Sequence, residues 1–313
     1  MSRSIVGNKS LGLTFSAVFE GANLSYSEEN GNFNELKSFS RGNGKIYTYM
    51  GRNTLRFECV RLGNEMFNWD LSPVEKKGAV WQFSPESKIS EYAEIDLFGY
   101  MRMGTNKQID SRSAVVRISP AISLEPYGNY VEFKTNRGLS SRNGKPAGNI
   151  VRSQVHSSFY AYTVVIDLDK IGVNATEILG NEKRAQRVNE FLEIIKCLSR
   201  NIKGVNSNLS PSFIIGGLYP VKNPYFIGPR IKLEWGNQNE PFILTEPLKE
   251  TLAFTFKGRE VKEDTRIGLL SGTWGNENNL KKLTSEVQKD FTIEAFFHML
   301  EGKVARYYES IEN

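Results

Sequence analysis

Residues 40–61 read SRGNGKIYTYMGRNTLRFECVR. A Gly-rich basic loop carrying Arg41 and Lys45 feeds a segment beginning near Tyr49 to Gly51, where Leu55, Cys59, Leu62 and Met66 recur at helical spacing. That spacing predicts a helix with one apolar stripe. It places Arg52, Asn53 and Arg56 together on the flank beside the stripe. A helix N-terminus offers unpaired backbone N–H groups and the positive end of a dipole, and both favour phosphate. The same residues read equally as a solvated flank whose arginines pair with carboxylates elsewhere, and spacing alone leaves both readings open.

Working outward, Leu11, Leu13, Phe15, Ala17 and Phe19 put one apolar face on a period of two, the mark of a first and central strand. Residues 21–45 are dominated by Gly, Asn, Ser and charge and read as a long loop. Residues 64–110, with Trp69, Pro73, Trp81 and Pro85, read as an irregular insertion holding its own small apolar cluster. Further strands are predicted at 114–119, 130–135, 160–166, 213–217 (running into a Gly-Gly loop), 231–235 and 252–256. The strongest helix takes Asn181 as its N-cap, carries Val188, Phe191, Leu192, Ile195, Leu198 and Ile202 as its stripe, and stops at Gly204. Thr292 caps a final helix through Phe296, Phe297, Leu300 and Val304. No repeat or linker divides the chain, which predicts one α+β domain over 1–313 with large insertions. An apolar fraction of 39% beside 12% aromatics and 27 glycines fits that class better than a helical bundle.

Charge is segregated. Residues 36–57, 133–166 and 194–233 contain no carboxylate and carry +5, +5 and +6, whereas the whole chain carries only +5. Everything outside them is therefore net acidic. If the three stretches converge, they make one positive surface suited to a polyanion, foremost a phosphate backbone. Cys59 and Cys197 lack CxxC spacing and His156 and His298 lie far apart, which argues against a disulfide framework or a zinc site. No apolar run approaches the roughly 20 residues that span a bilayer. Residues 11–19 are not a signal core, because Glu20 follows directly and Thr14 and Ser16 interrupt the apolar residues. The expectation is a cytoplasmic protein with no membrane partner.

The run Gly-Lys-x-Tyr-x-Tyr, followed by a polar residue, a small residue, Leu and Arg, resembles the backbone subunits of type I CRISPR Cascade complexes. It is most similar to the DevR/Cst-type branch of the Cas-seven family, associated with type I-B systems. Echoes in the same order extend along most of the chain: LGLTFSAVFEGANLSY from Leu11, GNFNELKSFSRG from Gly31, DLFGYM at Asp96 to Met101, RISPAISLEPY at Arg117 to Tyr127, and FYAYTVVIDLDKIG at Phe159 to Gly172. Gly51 and Asn53 depart from the Ser and Gln commoner in the family. The resemblance implies an RRM-like (ferredoxin-like) palm with inserted fingers, here 64–110, and an inserted thumb, here 128–158. It also implies copies stacking along a CRISPR RNA, so that its bases can pair with target DNA beside other Cascade subunits. Backbone binding of that kind is blind to guide sequence.

On that reading the RNA-binding candidates are Arg41, Lys45, Arg52, Asn53 and Arg56 in the first basic stretch. Arg137, Arg142, Lys145 and Arg152 follow in the second. Gly216, Gly217 and Lys222 belong to the third, where Gly-Gly would permit close backbone approach and Tyr225 and Arg230 stand near. Residues 136–149, NRGLSSRNGKPAGN, suit the thumb, although a basic loop is often just a solvated hairpin tip. Phe159 and Tyr160 read as sheet packing rather than base stacking. Type III relatives cut RNA with an acid in the loop after the first strand. Here residues 21–45 hold no Asp; Glu28 and Glu29 lie in the matching region, and Asp167 and Asp169 form another acidic pair. No ligand set suits Mg²⁺, and His156 has no evident catalytic partner. The leading expectation is a non-catalytic subunit needing no metal or cofactor. A metal-dependent RNA endonuclease and a generic polyanion or membrane-surface binder are the alternatives.

Overall fold

Leu13, Phe15, Ala17 and Phe19 are fully buried, and so are Thr14, Ser16 and Val18 between them; a strand covered on both faces belongs at the centre of a layered sheet. This is β1, Gly12–Ala22. The computed structural model describes residues 11–27, 31–103, 108–142, 144, 148–222, 227–256 and 258–311. β1 lies between two antiparallel partners, β13 (Ser157–Asp167) and β16 (Phe213–Tyr219). Among the described residues the sheet has eight strands. Its order is β21 (Thr265–Leu269), β16, β1, β13, β10 (Ala121–Ser123), β4 (Ile46–Met50) and β3 (Ser38–Ser40), with β9 (Val116–Ile118) also paired to β13. Every pairing in it is antiparallel. The β21 edge is sealed against further pairing. The Gln288 amide accepts from Ile267 N (2.9 Å) and donates to Ile267 O (2.6 Å), and Leu269 N donates to Phe291 O (2.7 Å).

One face of this mixed α+β fold packs on α1 (Arg52–Phe67), α2 (Ala93–Phe98), α4 (Asn181–Lys196) and α8 (Ile293–Glu309). Phe15 meets Phe296 and Phe297 edge-on at 6.4 Å each, and Phe98 meets Phe191 at 6.1 Å. On the other face Val18, Phe159, Phe213 and Ile215 are covered by α5 (Glu246–Leu252), α6 (Val261–Asp264), α7 (Glu277–Lys282) and Trp274. Phe159 and Tyr160 are packing residues as expected, against Trp274 (5.1 Å) and Phe19 (5.8 Å) respectively. Thr292 caps α8, its hydroxyl accepting from Ala295 N at 3.1 Å.

Several expectations are corrected. Residues 21–45 are not one loop: β2 (Phe33–Asn34) and β3 interrupt them, and Glu28, Glu29 and Asn30 lie outside the described residues. Residues 64–110 are not irregular. α1 runs to Phe67 and ends where Asn68 turns left-handed (φ 54°), because Trp69 must fold back onto Gly63, where a Cβ would strike the indole. Two hairpins follow, β5 (Val74–Lys77) with β6 (Val80–Phe83) and β7 (Tyr100–Met103) with β8 (Ile109–Arg112). Between them α2 inserts Leu97 and Phe98 into the main core, and the small cluster of Ile89 and Ile95 is completed by Leu179. Met66 falls outside the α1 stripe and is exposed, whereas Glu58 is buried in it.

Asn181 is the first residue of α4, with Gly180 at the cap. α4 stops at Lys196 rather than Gly204. Ser199–Ile202 is β14, turning through left-handed Lys203 and Gly204 into β15 (Val205–Asn208). Near the chain's end, Leu252 closes α5, and only Thr255–Phe256 forms a strand, β19, paired with β20 (Arg259–Glu260). β17 (Leu233–Trp235) pairs with β18 (Pro241–Ile243). A separate sheet joins β11 (Val131–Thr135), β12 (Ile150–Gln154) and β2, with α3 (Arg137–Ser141) at the far end of the β11–β12 hairpin.

A buried ion cluster ties α2 to α4. The Asp96 carboxylate, with no exposure, accepts from Arg112 Nη2 (2.6 Å), Arg187 Nη1 (2.6 Å) and Gly172 N (2.9 Å). Sharing one carboxylate between two guanidinia and a backbone N–H meets the condition under which buried charge is tolerated.

Candidate nucleic-acid interface

Alternation along β13 sends Tyr160, Tyr162, Val164 and Ile166 to the helical layer. Ala161, Thr163 and Val165 point the other way, where the covering layer stops. Beyond it lies an open cleft of about 710 Å³, floored by Ile118, Ile122, Ala161 and Val165 and edged by Arg41, Tyr47, Arg117, Ser119, Thr163 and Lys232. Among the described residues no carboxylate lines it.

Each cation is held in its own way. Arg41 sits in the turn closing the β3–β4 hairpin, where its N–H donates to Lys45 O (3.0 Å), and its guanidinium lies 4.3 Å over the Tyr47 ring. Arg117 leaves β9 and forks onto Asp167, with Nη2 to Oδ1 at 2.6 Å and Nη1 to Oδ2 at 3.0 Å. Burial alone would raise the Asp167 carboxyl; the hydrogen bonds and charge of Arg117, with Lys222 and Lys170, hold it below the usual carboxylate range. The Arg117 side chain nevertheless stays 43% exposed, so a pre-oriented guanidinium faces the cleft. It also borders a small depression shared with Arg52, Arg56 and Phe98. The cleft thus continues toward the start of α1, where Gly51 offers no side-chain cap and no acid occupies the first turn.

The first and third basic stretches therefore meet around Arg117, through Arg41 and Arg52 on one side and Lys232 on the other. Arg52 and Asn53 are exposed. Arg56 is committed inside the molecule, paired with Glu94 at 2.9 Å and lying over the Phe83 and Phe98 rings, so this member of the flank takes the pairing alternative. Lys45 projects from the hairpin turn. The second stretch floors the cleft through Ala161 and Val165, but its described cations do not join it. Arg152 lies over Phe133 at 5.4 Å in the separate sheet, Arg137 and Arg142 are exposed on and beside α3, and Lys145 lies outside the described residues.

Gly216 and Gly217 are corrected most sharply. They are buried mid-strand in β16, paired with β1 and β21, and not in a loop. A Cβ on Gly216 would strike Thr14 O and Phe15, and one on Gly217 would strike Asp264 O. Close approach is real, but the partner is the protein's own backbone. Lys222 is bound to Asp169 at 2.6 Å, and Tyr225 lies outside the described residues. Arg117 falls outside the acid-free stretches, because Asp110 and Glu125 bracket it, and belongs instead to the RISPAISLEPY motif. Lys232 lies inside the third acid-free stretch.

Asp167 and Asp169 are both engaged by cations, and among the described residues no three His, Cys, Asp or Glu side chains gather as a metal site. His156 is buried with Nδ1 2.7 Å from the Thr48 hydroxyl, which is itself 2.7 Å from Tyr160 OH. Burial lowers its pKa against a weaker opposing pull from Glu125, which favours the neutral ring, and it packs where β12 enters β13.

Residues 13–232 match the family described as CRISPR-associated negative auto-regulator DevR/Csa2. The chain belongs to the DevR/Csa2 family. No curated protein matches the sequence. In fold, this DevR/Csa2 chain is similar to a chain of a "CRISPR RNA-guided surveillance complex, pre-nicking", with TM-score 0.61 and 11% identity over 94% of this chain and 100% of that one. A chain of a "CRISPR RNA-guided surveillance complex" gives TM-score 0.57 and 12% identity over 94% and 99%. At such identities the likeness is one of fold. Among the described residues of this family member, no helix is long and apolar enough to cross a membrane.

Proposed function

We propose that this chain is a non-catalytic CRISPR RNA-binding backbone subunit of a type I Cascade surveillance complex. It polymerises along the guide and supports target DNA pairing in antiviral defence. The observation that carries the reading is the acid-free cleft edged by Arg41, Arg117 and Lys232 on the uncovered part of the central sheet. Three cations around an apolar floor suit a phosphodiester backbone with sugars resting on the sheet, and phosphate contacts hold any guide sequence equally. Arg52 and Asn53 extend the track at the open N-terminus of α1, and Lys45 extends it at the β3–β4 turn.

In this reading the large sheet and its helices are an RRM-like palm, residues 64–110 are fingers and 128–158 a thumb, all within one domain. Arg137, Arg142, Lys145 and Arg152 serve the thumb, reaching RNA or target strand only when a neighbouring copy arrives. Partners are CRISPR RNA, target DNA, other copies of the chain and other Cascade subunits. The place of action is the cytoplasm, with no membrane and no cofactor. The non-catalytic assignment is supported by Asp167 and Asp169 serving as counter-ions.

The test is to co-express the chain with a CRISPR array, purify it, and sequence and size the bound RNA. Guide-derived RNA in lengths that step with the number of bound copies is expected. RNA without guide enrichment, or none, overturns the proposal.

A further inference from the structure

A second concentration of positive charge lies away from the cleft. Arg266 is on β21, and in that strand it shares its side with Gly268, against which Ile293 and Phe296 of α8 pack. It therefore points to the helical face, whereas the cleft opens on the opposite face. β21 is also three strands from β13, roughly 14 Å at ordinary strand spacing.

Lys303 of α8 lies close enough to Arg266 to feel its charge, and Arg306 follows three residues along the same helix and acts on Lys303 too. Two of the three guanidinium and ammonium groups are braced by backbone carbonyls rather than acids. Arg266 Nη1 donates to Glu263 O (2.9 Å) and Thr265 O (2.8 Å), and Arg306 Nε donates to Gly302 O (3.0 Å). Those contacts fix orientation without cancelling charge. The Lys303 amine makes no hydrogen bond or ion pair among the described residues. The nearby carboxylate, Asp264, is already taken by Arg259 Nη2 at 2.9 Å, whose Nε also holds Glu263 at 3.1 Å. Burial, then the positive charge of Arg266, push the Lys303 amine down to about 8, with Arg259 and Arg306 adding to the fall and Asp264 opposing it. A partly desolvated amine crowded by guanidinia and left unpaired lacks a counter-ion.

We propose that Arg266, Lys303 and Arg306 form a second anion site, specific for a phosphoryl group, on the helical face at the β21 edge. Two arginine forks held by their own backbone and one mobile amine match the several oxygens of a phosphate. The phosphate belongs either to a nucleic-acid strand running outside the cleft or to a free small anion. The site does not depend on what fills the cleft. Because the anion favours protonated Lys303, binding takes up a proton near pH 8 and weakens as pH rises above it.

The experiment uses the full-length chain with Arg41→Gln and Arg117→Gln to silence the cleft. One arm titrates a fluorescent ten-residue oligothymidylate; the other adds inorganic phosphate and measures acylation of Lys303 at pH 8. Either probe should protect Lys303 at least fivefold. Oligothymidylate affinity should fall about tenfold in Arg306→Gln or Lys303→Gln and by a further several-fold between pH 8 and 9. Arg306→Lys should restore part of it, and Arg306, exposed on α8, can be changed without disturbing the core. Protection by oligothymidylate identifies the source as a strand, and protection by phosphate alone identifies a free anion. If neither protects Lys303, or if whichever probe does protect it binds indifferently to Arg306→Gln and to pH, the site does not exist.

Discussion

Replacing Arg117 by Gln should weaken guide binding through a countable loss of charge, and the structure fixes how large that loss is. The guanidinium makes two short bonds to Asp167, which is 2% exposed, and is itself pre-oriented at the cleft. Breaking a buried pair costs roughly 3–5 kcal/mol, but with 43% of the Arg117 side chain exposed, a loss of about 1–2 kcal/mol in folding stability is expected. The acid limb should move too. The folded-state pKa of Asp167 lies below its unfolded value, so its contribution is present above the ordinary carboxylate range and is lost as pH falls through the folded value. Without Arg117 that loss begins at higher pH. One phosphate contact on a single strand contributes about 0.7 to the slope of log affinity against log salt, so the variant should lose about 2.5-fold less affinity than wild type between 50 and 200 mM salt. At low salt the direct loss should be on the order of tenfold or more, from a charged hydrogen bond of about 1.5–3 kcal/mol. Fluorescence anisotropy with guide RNA at four salt concentrations measures both, with circular dichroism confirming the fold. An unchanged slope in a folded variant refutes the assignment of Arg117 to a phosphate.

Asp96→Asn should cost roughly 3–5 kcal/mol, because Arg112 and Arg187 keep their buried charges and lose their shared carboxylate; a fall in melting temperature of several degrees checks it. Gly216→Ala should destabilise the fold by roughly 1–3 kcal/mol or more by driving a methyl into Thr14 O and Phe15, and a normal denaturant midpoint would contradict its place in mid-sheet. Glu301 is pushed up to about 7 by burial and then by the hydrogen bond and charge of Glu193, so the folded state holds its proton more tightly than the unfolded chain. Stability should therefore fall as pH rises from about 4.5 to 7, and Glu301→Gln should remove most of that slope in pH-dependent denaturation.

Strands with a clean period of two were legible, β1 and β13 above all, because their alternation survives burial on both faces. The Thr292 cap was legible for local reasons as well, and so was the first helix, although it was expected to begin near 49–51 and starts at Arg52, Tyr49 and Met50 belonging to β4. What failed was decided by contacts distant in sequence. Leu198 and Ile202 continue a helical stripe in sequence, yet a left-handed Lys203–Gly204 turn makes a hairpin there. Gly216–Gly217 looks like loop chemistry, and only the proximity of β1 and α6 shows why glycine is needed. Charge segregation brought out Arg41 and Arg52. It could not foresee that Arg56 would be spent on Glu94, nor that Arg117, set among acids, would stand at the junction of the cleft.

The central claim is that guide RNA lies across the bare part of the sheet, beside Arg117. Ultraviolet cross-linking of the assembled ribonucleoprotein, followed by mass spectrometry of the RNA-bearing peptides, tests it most directly. The account predicts adducts at Tyr47 and in the peptides carrying Arg41, Ser119 and Lys232, whose side chains edge the cleft. Adducts confined to other surfaces, with the cleft peptides unmodified in a complex that retains its RNA, would contradict it.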